Sequence, residues 1–260
     1  FKKRADGGFE KVVVRKRPGT ESICAAILNK YNVDTVPHLI CGGFSVNETE
    51  DALINLHYLG IDNVLVLRGD AAKNEMSFEA EPGGHKYASD LLKQVVDLND
   101  GIYQEEDLRD SHKTAFCIGV AGYPEKHFEA PNMDADLQHL KKKVELGADY
   151  IITQMFFDNN KYHEFVKRCR EMGITVPIIP GLKPIYNKKQ LTVLPKTFHI
   201  DLPSDLANAV HKCKTDLEVE KVGAEWLLMQ SRELKKSGVP VLHYYTLGRP
   251  QLIADVVGQI

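Results

Sequence analysis

The sequence predicts an α/β fold of parallel strands and helices that makes up most of a (β/α)8 TIM barrel. Three observations favour this fold. Short apolar runs alternate with amphipathic segments from residue 36 onward, several runs end in polar or special-backbone residues, and no Gly-rich dinucleotide turn follows an early strand. The 260 residues suit one such unit, so we predict a single domain over residues 1–260.

The composition is that of an ordinary globular protein, with 43% hydrophobic and 27% charged residues and a net charge of −3. There is no broad basic field for nucleic acid or an anionic membrane surface, and no apolar run approaches the roughly 18 residues of a membrane helix. The five cysteines have neither Cys-x-x-Cys pairing nor metal-ligand spacing. We interpret them as small core residues of a cytoplasmic protein and predict no metal site.

Six apolar runs are predicted to be the strands. Each is nearly continuous in Val, Ile, Leu and aromatic residues, which is typical of parallel strands covered on both faces. In chain order the runs are Val36–Cys41, Asn63–Leu67, Phe116–Gly122, Tyr150–Gln154, Val176–Pro180 and Val241–Tyr245.

Amphipathic segments between these runs predict helices. Asn47 and Glu50 have the spacing of a capping box, and Gly60, Gly173 and Gly238 are placed to end their helices. The helices are expected at residues 19–31, after Asn47, after the loop at residues 122–127, at Tyr162–Met172 and at residues 217–234.

A doubly wound open sheet is the alternative, but Gly42-Gly43 and Gly83-Gly84 lack the spacing of its phosphate turn. A barrel needs eight strands, and only six are found. Residues Lys11–Arg15 could form a short strand, but they lie too close to Pro18 for a full β-α unit. We therefore expect that the chain as given begins after the first two strands; an incomplete barrel and one completed by a partner are the alternatives.

The first candidate site is Leu67-Arg68-Gly69-Asp70, directly after an apolar strand. An Arg and an Asp at a strand end, with a Gly that lets backbone approach a ligand, suit an anionic cofactor with a polar ring. An Arg68–Asp70 pair that closes the loop is the equally weighted alternative.

The second candidate site is the loop Gly122–His127 and the helix that follows it. Asp136, His139 and Lys143, at i, i+3 and i+7, form a polar stripe beside the apolar one of Leu137, Leu140 and Val144. The competing interpretation is a solvated helix face, with His127 an ordinary loop histidine.

The third candidate is Gln154, at the end of a strand whose earlier residues are apolar. A buried amide without partners costs about 1–3 kcal/mol, so it must find them. A pterin or nucleobase edge would supply paired groups, and neighbouring loop backbone would do so equally well.

Taken in order, the motifs resemble methylenetetrahydrofolate reductase from about residue 33 to residue 250. The resemblance includes the order and approximate spacing of the motifs. They are Pro37-His38-Leu39, Leu67-Arg68-Gly69-Asp70, Tyr87-Ala88-Ser89-Asp90, Ala121-Gly122-Tyr123-Pro124-Glu125, Ile152–Asp158, Ile178–Pro184 and His243–Leu247.

This resemblance implies a flavoprotein (β/α)8 barrel in which FAD takes hydride from NADH or NADPH and passes it to 5,10-methylenetetrahydrofolate in ping-pong fashion, giving 5-methyltetrahydrofolate. It also implies a cytoplasmic enzyme of one-carbon metabolism, and we expect a homo-oligomer of unspecified size without nucleic-acid or membrane partners. The implied FAD contacts are His38, Leu67, Arg68, Gly69, Asp70, Tyr87, Ala88, Tyr123, His127, Asp136, His139, Lys142 and Lys143.

The same resemblance implies folate contacts from Gln154, Gln190 and Arg249, and a catalytic role for Asp70. His139 and Lys142 stand where the bacterial pattern often has Asn and Arg, and Lys cannot form the bidentate contact of Arg. Leu194 stands where Phe is frequent, which removes an aromatic partner for the substrate.

The family's general acid is a Glu in a Phe-Glu-Phe-Phe-Pro-Pro-like motif on the first strand. Glu10, Glu79 and Glu129 each follow a Phe, but none has that context. We expect the acid on an N-terminal strand that is absent from this chain. A folate-binding methyltransferase-type barrel without flavin and a non-catalytic homologue are the alternative functions.

Overall fold

The computed structural model describes residues 2–3, 8–10, 18–71 and 77–260. The two-residue strands β1 (Lys2–Lys3) and β2 (Phe9–Glu10) pair with each other in antiparallel fashion. The other strands form one parallel sheet in chain order, each paired with the next. These are β3 (His38–Ile40), β4 (Asn63–Leu67), β5 (Cys117–Gly122), β6 (Tyr150–Met155), β7 (Ile178–Leu182) and β8 (His243–Tyr244). All six predicted strands are confirmed, whereas Lys11–Arg15 lies outside the described residues.

Helices alternate with the strands of this sheet; the five predicted ones correspond to the first, second, fourth, fifth and eighth of the chain, and the other four were not predicted. The helices are α1 (Thr20–Tyr31), α2 (Val46–Tyr58), α3 (Ala88–Asn99), α4 (Met133–Glu145), α5 (Asn159–Glu171), α6 (Gln190–Phe198), α7 (Ser204–Lys212), α8 (Asp216–Lys236) and α9 (Pro250–Val257). Gly60, Gly173 and Gly238 follow α2, α5 and α8 with φ of 73°, 84° and 90°, the conformation in which glycine ends a helix. No helix in the described ranges is both long and apolar enough to cross a membrane.

The parallel sheet is curled. In a flat sheet the two outer strands of six would lie about 24 Å apart, too far for appreciable interaction between their side chains. His243 on β8 nevertheless has a pKa lowered by burial and further by the charge of His38 on β3. The six described parallel strands thus form a curled half-barrel, the number of strands that the sequence predicted for this chain, and the closed barrel of eight stays a prediction.

The main core lies between the sheet and its helices. Val64, Val120 and Ile151 are completely buried on successive strands, against Leu91 of α3 and Leu137 of α4. A second cluster, which includes Phe157, Leu194 and Leu206, packs α6 and α7 against the end of β6. These two clusters hold the carboxyl ends of the strands in fixed positions. In barrel enzymes the active site lies at these ends of the strands.

The predicted cap of α2 was two residues too late. The Ser45 backbone N–H donates to Glu48 Oε2 at 2.8 Å, and the Glu48 N–H donates to Ser45 Oγ at 3.3 Å. Ser45–Glu48 and Asn47–Glu50 have the same spacing, so the sequence pattern alone did not distinguish them. Ser45 has the extended backbone that a capping residue needs.

One cysteine prediction was also wrong. Cys24, Cys41, Cys169 and Cys213 are buried as expected, but Cys117 is exposed. Cys117 begins β5, and Ile118 beside it packs into the core. Because neighbouring strand residues point to opposite faces, the Cys117 side chain faces away from that core.

Candidate functional site

The carboxyl end of β4 places Arg68 against the loop that follows β5. Arg68 Nη1 donates to Glu129 Oε2 at 2.6 Å, and the Arg68 guanidinium lies 5.6 Å from the Phe78 ring centroid. The pKa of Glu129 is lowered by this hydrogen bond, so its carboxyl is ionised at neutral pH. Within the described residues Arg68 pairs with Glu129, and no ion pair between Arg68 and Asp70 is found there.

The turn after Arg68 keeps Asp70 exposed beside the same loop. Gly69 has a φ of 89°, a conformation that residues with a Cβ rarely adopt, and this turn directs the chain away from β4. Asp70 contributes to the raised pKa of Tyr123, so the two side chains lie within electrostatic range. The carbonyl oxygen of Leu67, at the end of β4, accepts a hydrogen bond from the N–H of Cys41, which follows β3, at 3.2 Å.

Tyr123, His127 and Asp136 form the next part of the site. The rings of Tyr123 and His127 meet edge to face with centroids 4.7 Å apart, and the His127 backbone N–H donates to Asp136 Oδ2 at 2.8 Å. Burial, with the charge of Asp136, raises the pKa of Tyr123 to about 12, and burial lowers the pKa of His127. At neutral pH the phenol and the imidazole are both uncharged.

Lys143 of α4 contacts the end of β5, directly before this loop. Its Nζ donates to the Ala121 carbonyl oxygen at 2.8 Å. Burial lowers the pKa of Lys143 to about 8, and the charge of Asp136 opposes this effect. The lysine is thus a cation held in a low-dielectric position, where an additional negative charge would be strongly stabilised.

The polar stripe predicted on α4 divides into two parts. Asp136 contacts the loop after β5 and Lys143 contacts the end of β5, whereas His139 is exposed on α4, as is Lys142 beside the stripe. Their exposure fits a solvated helix face and equally fits contact with a bound cofactor, so the cofactor contacts of His139 and Lys142 stay predictions. Asp136 and Lys143 are two helical turns apart, which places them on one line, and His139 is offset from it.

The other candidate flavin contacts lie on elements around this cluster. His38 is the first residue of β3, and Tyr87 and Ala88 lie at the start of α3, where Asp90 Oδ2 accepts from the Tyr87 N–H at 2.9 Å. Burial lowers the pKa of His38. Within the described part of the chain, no side-chain hydrogen bond, ion pair or ring contact links these three residues to the cluster around Arg68.

Gln154 uses one end of its amide locally. Its Oε1 accepts from the Met155 N–H at 2.9 Å, as the loop-backbone alternative expects. Among the described residues, none accepts a hydrogen bond from its Nε2. Gln154 shares a depression with Tyr123, Glu125 and the segment 198–200, so this residue lies beside the candidate flavin loop.

Gln190 and Arg249 meet through Tyr186, a residue that the sequence did not single out. Gln190 Oε1 accepts from the Tyr186 N–H at 2.6 Å, and the Arg249 guanidinium lies 5.0 Å from the Tyr186 ring centroid. Arg249 also pairs with Glu220 of α8. Leu194, one turn beyond Gln190, is 3% exposed and belongs to the second core cluster.

Lys183 is the most unusual charged residue in this region. It is 1% exposed, its Nζ donates to the Pro184 carbonyl oxygen at 3.0 Å, and it lies 4.6 Å from the Tyr186 ring centroid. No carboxylate pairs with it among the described residues. Burial lowers its pKa to about 8. Lys183 and Arg249 thus both lie within about 5 Å of the centre of the Tyr186 ring. The spacing of these residues in the sequence does not indicate this arrangement.

Comparison with known proteins gives a consistent result. The family model described as methylenetetrahydrofolate reductase matches residues 10–260. Methylenetetrahydrofolate reductase 1 of Schizosaccharomyces pombe is 34% identical over 242 residues, which cover 93% of this chain and 38% of that protein. The 5,10-methylenetetrahydrofolate reductase of Escherichia coli is 34% identical over 241 residues, which cover 91% of this chain and 73% of that protein. The chain therefore spans less than two fifths of the yeast relative and nearly three quarters of the bacterial one.

A solved structure shares the fold. It is a Clostridium thermocellum protein that binds two copies of 5-methyl-5,6,7,8-tetrahydrofolic acid, with a TM-score of 0.52 and 17% identity. The match covers 89% of this chain and 75% of that chain. At this identity, the similarity concerns the fold alone.

Proposed function

The chain belongs to the methylenetetrahydrofolate reductase family, and from this premise we propose that it reduces 5,10-methylenetetrahydrofolate to 5-methyltetrahydrofolate with FAD and NADH or NADPH. The observation that carries the proposal is the cluster at the carboxyl ends of β4 and β5. There Arg68 pairs with Glu129, whose N–H donates to His127, and His127 contacts both Tyr123 and Asp136. Lys143 donates to the carbonyl oxygen of Ala121, two residues before Tyr123.

The residues present fit FAD. A dinucleotide with two phosphates requires cations, hydrogen-bond donors and close backbone approach. Arg68 and Lys143 supply buried or half-buried cations, and Gly69 presents backbone without a side chain. When bound, FAD would accept a hydride from the reduced nicotinamide and donate it to the folate in alternate half-reactions.

We assign the FAD contacts to residues that surround this cluster. Arg68 and Lys143 would bind negative charge, and Tyr123 and His127 would present neutral rings to the cofactor. Asp136 orients the loop by accepting from the His127 N–H. The complete set proposed to bind FAD is His38, Leu67, Arg68, Gly69, Asp70, Tyr87, Ala88, Tyr123, His127, Asp136, His139, Lys142 and Lys143.

Folate would bind along β6 and α6. Gln154 has an unpaired Nε2 among the described residues, which suits an acceptor on the pterin edge. Gln190 and Arg249 are held in one group by Tyr186, and the Arg249 guanidinium suits a carboxylate of the substrate. Asp70 would act by electrostatics, since its carboxylate opposes negative charge on the reduced ring beside it.

The curled sheet is proposed to be the greater part of a (β/α)8 barrel, in which the outer strands β3 and β8 pair with further strands. The proton donor is proposed to lie outside the described residues. Glu129 is unsuited to that role because its pKa is lowered by Arg68, and Glu79 is an exposed loop residue. The side chain of Glu10 lies outside the described residues.

The proposed function predicts a yellow protein. Purified full-length protein, reconstituted with FAD, is expected to absorb near flavin wavelengths, to be bleached by NADH or NADPH under anaerobic conditions, and to regain colour on addition of methylenetetrahydrofolate. Absorbance spectroscopy and detection of 5-methyltetrahydrofolate check this result. A protein that binds folate but never FAD would instead support the methyltransferase-type alternative.

The lowered pKa of Lys143 predicts that FAD binding is accompanied by the uptake of a proton. Without FAD the pKa of Lys143 is about 8, and a phosphate beside it would raise that pKa. At higher pH the apo lysine is neutral and must be protonated on binding, so FAD affinity is expected to fall by up to about tenfold for each pH unit above that pKa. Calorimetry in two buffers that differ in ionisation enthalpy measures the uptake directly.

Two variants test whether Lys143 is the group that takes up the proton. Lys143→Met is expected to abolish the proton uptake and to weaken FAD binding. Lys141→Met is the matched control, because Lys141 lies on the same helix and pairs with Glu145 at 3.8 Å, away from the loop after β5. Equal proton uptake in the Lys143→Met protein would show that another group titrates.

A further inference from the structure

Two segments at the carboxyl edge of the sheet are joined by three contacts, which we call the Glu125 clasp. Glu125, in the loop after β5, accepts from the Asp201 N–H at 2.9 Å. The Phe128 ring stacks on the His199 ring, with centroids 5.0 Å apart and 20° between the planes. Lys161 Nζ lies 3.9 Å from Glu125 Oε2 and 3.4 Å from Asp201 Oδ2. The loop after β5 is thereby attached to the segment that follows α6.

The hydrogen bond from Asp201 is the dominant polar contact of the clasp. The Glu125 side chain is 8% exposed, whereas Lys161 is 44% and Asp201 81% exposed. Exposed ion pairs contribute little to stability, so the hydrogen bond to the buried Glu125 carboxyl is the contact that orders the two segments. Burial raises the pKa of Glu125 to about 7, and either protonation state has an oxygen that accepts from Asp201.

The clasp lies between the two parts of the proposed site. Tyr123 and Gln154 line the same depression as Glu125 and the segment 198–200. Tyr123 belongs to the proposed flavin contacts, and α6, which ends at Phe198, begins with the proposed folate contact Gln190. A short helix moves as a unit, so the position of residue 201 contributes, with the core packing of Leu194, to where Gln190 lies relative to the loop after β5.

We propose that Glu125 is a positioning residue for folate: by accepting from Asp201 it fixes α6, and with it Gln190, relative to the flavin loop. This inference rests on the proposed function. In the part of the chain that the structure describes, no hydrogen bond or ion pair joins Glu125 to Gln190 or Arg249, so it acts through the backbone of the segment 198–201.

The test compares Glu125→Ala with Glu125→Gln in the full-length protein. Gln keeps the size and an acceptor oxygen, whereas Ala removes the acceptor. Glu125→Ala is expected to raise the KM for methylenetetrahydrofolate by about tenfold, to change NADH oxidation by less than about twofold, and to speed hydrogen exchange of the Asp201 amide by about tenfold. Glu125→Gln is expected to match the wild type in all three measurements. Glu171→Ala, on the exposed face of α5, is the matched control.

A second variant covers the case in which Glu125→Ala does not fold. Phe128 is 54% exposed, so Phe128→Ala is expected to fold and, by loss of the His199 stack, to raise the same KM by about threefold. An unchanged folate KM in both variants, unchanged Asp201 exchange in Glu125→Ala, or an equal defect in Glu125→Gln would each overturn the proposal. A wild-type protein that reduces no methylenetetrahydrofolate would overturn the proposed function and, with it, the folate role of Glu125. Faster exchange of the Asp201 amide in Glu125→Ala would still show that Glu125 holds this segment.

Discussion

Replacing Asp70 by Asn is expected to slow the reduction of methylenetetrahydrofolate by about tenfold to a hundredfold and to slow coenzyme oxidation much less. Asp70 is exposed after the Gly69 turn and acts electrostatically on Tyr123, so its carboxylate lies beside the proposed flavin position. A negative charge there opposes negative charge on the reduced cofactor and favours hydride donation to the folate. Asn keeps the shape and removes that charge. Stopped-flow measurement of each half-reaction at the flavin absorbance distinguishes the two effects.

The control for this variant is Asp51→Asn. Asp51 is an exposed carboxylate on α2, so its replacement changes the net charge equally without changing the site. FAD content must be the same in both variants, since loss of cofactor would slow both half-reactions together. Equal slowing of the two half-reactions in the Asp70→Asn protein would contradict the role assigned to this carboxylate.

The strands could be predicted because buried parallel strands are continuous apolar runs. Asn63–Leu67 was predicted with its observed bounds, and β3 and β8 were placed within two residues at each end. The error at β7 has a physical cause. Pro180 and Gly181 were interpreted as the end of the strand, but β7 continues to Leu182 because Gly181 serves close packing and not a turn.

The site was predicted in part, and the limit lies in long-range contacts. Strand-end motifs placed Arg68, Tyr123 and His127 at one edge, and the structure brings them together. The partner of Arg68 is Glu129, 61 residues away, and no local spacing indicates such a pair. Glu125 belonged to a motif, but its acceptor role depends on Asp201, which is 76 residues further along the chain.

Replacing Gly181 by Ala is expected to destabilise the protein by about 3–5 kcal/mol, the largest stability effect that we predict. A Cβ on Gly181 would lie 2.2 Å from the Thr153 carbonyl oxygen and 2.7 Å from the Tyr245 ring. Both are held in place: the Gly181 N–H donates to Thr153 Oγ1 at 2.9 Å, and the Tyr245 hydroxyl donates to the Thr153 carbonyl oxygen at 2.9 Å. Relief of the clash requires β7 to separate from β6.

Urea unfolding of the full-length protein measures this effect, with Gly258→Ala as the control. Gly258 has a φ of −63°, and a Cβ there would come no closer than 3.4 Å to a neighbouring atom, so Ala fits without strain. A Gly181→Ala protein that unfolds at the wild-type urea concentration would contradict the close packing. Because β7 leads directly into Lys183 and Tyr186, a folded Gly181→Ala protein is also expected to bind folate more weakly than the wild type, with a smaller change in its affinity for FAD. The same glycine thus connects the packing of the sheet to the position of the residues proposed to bind the substrate.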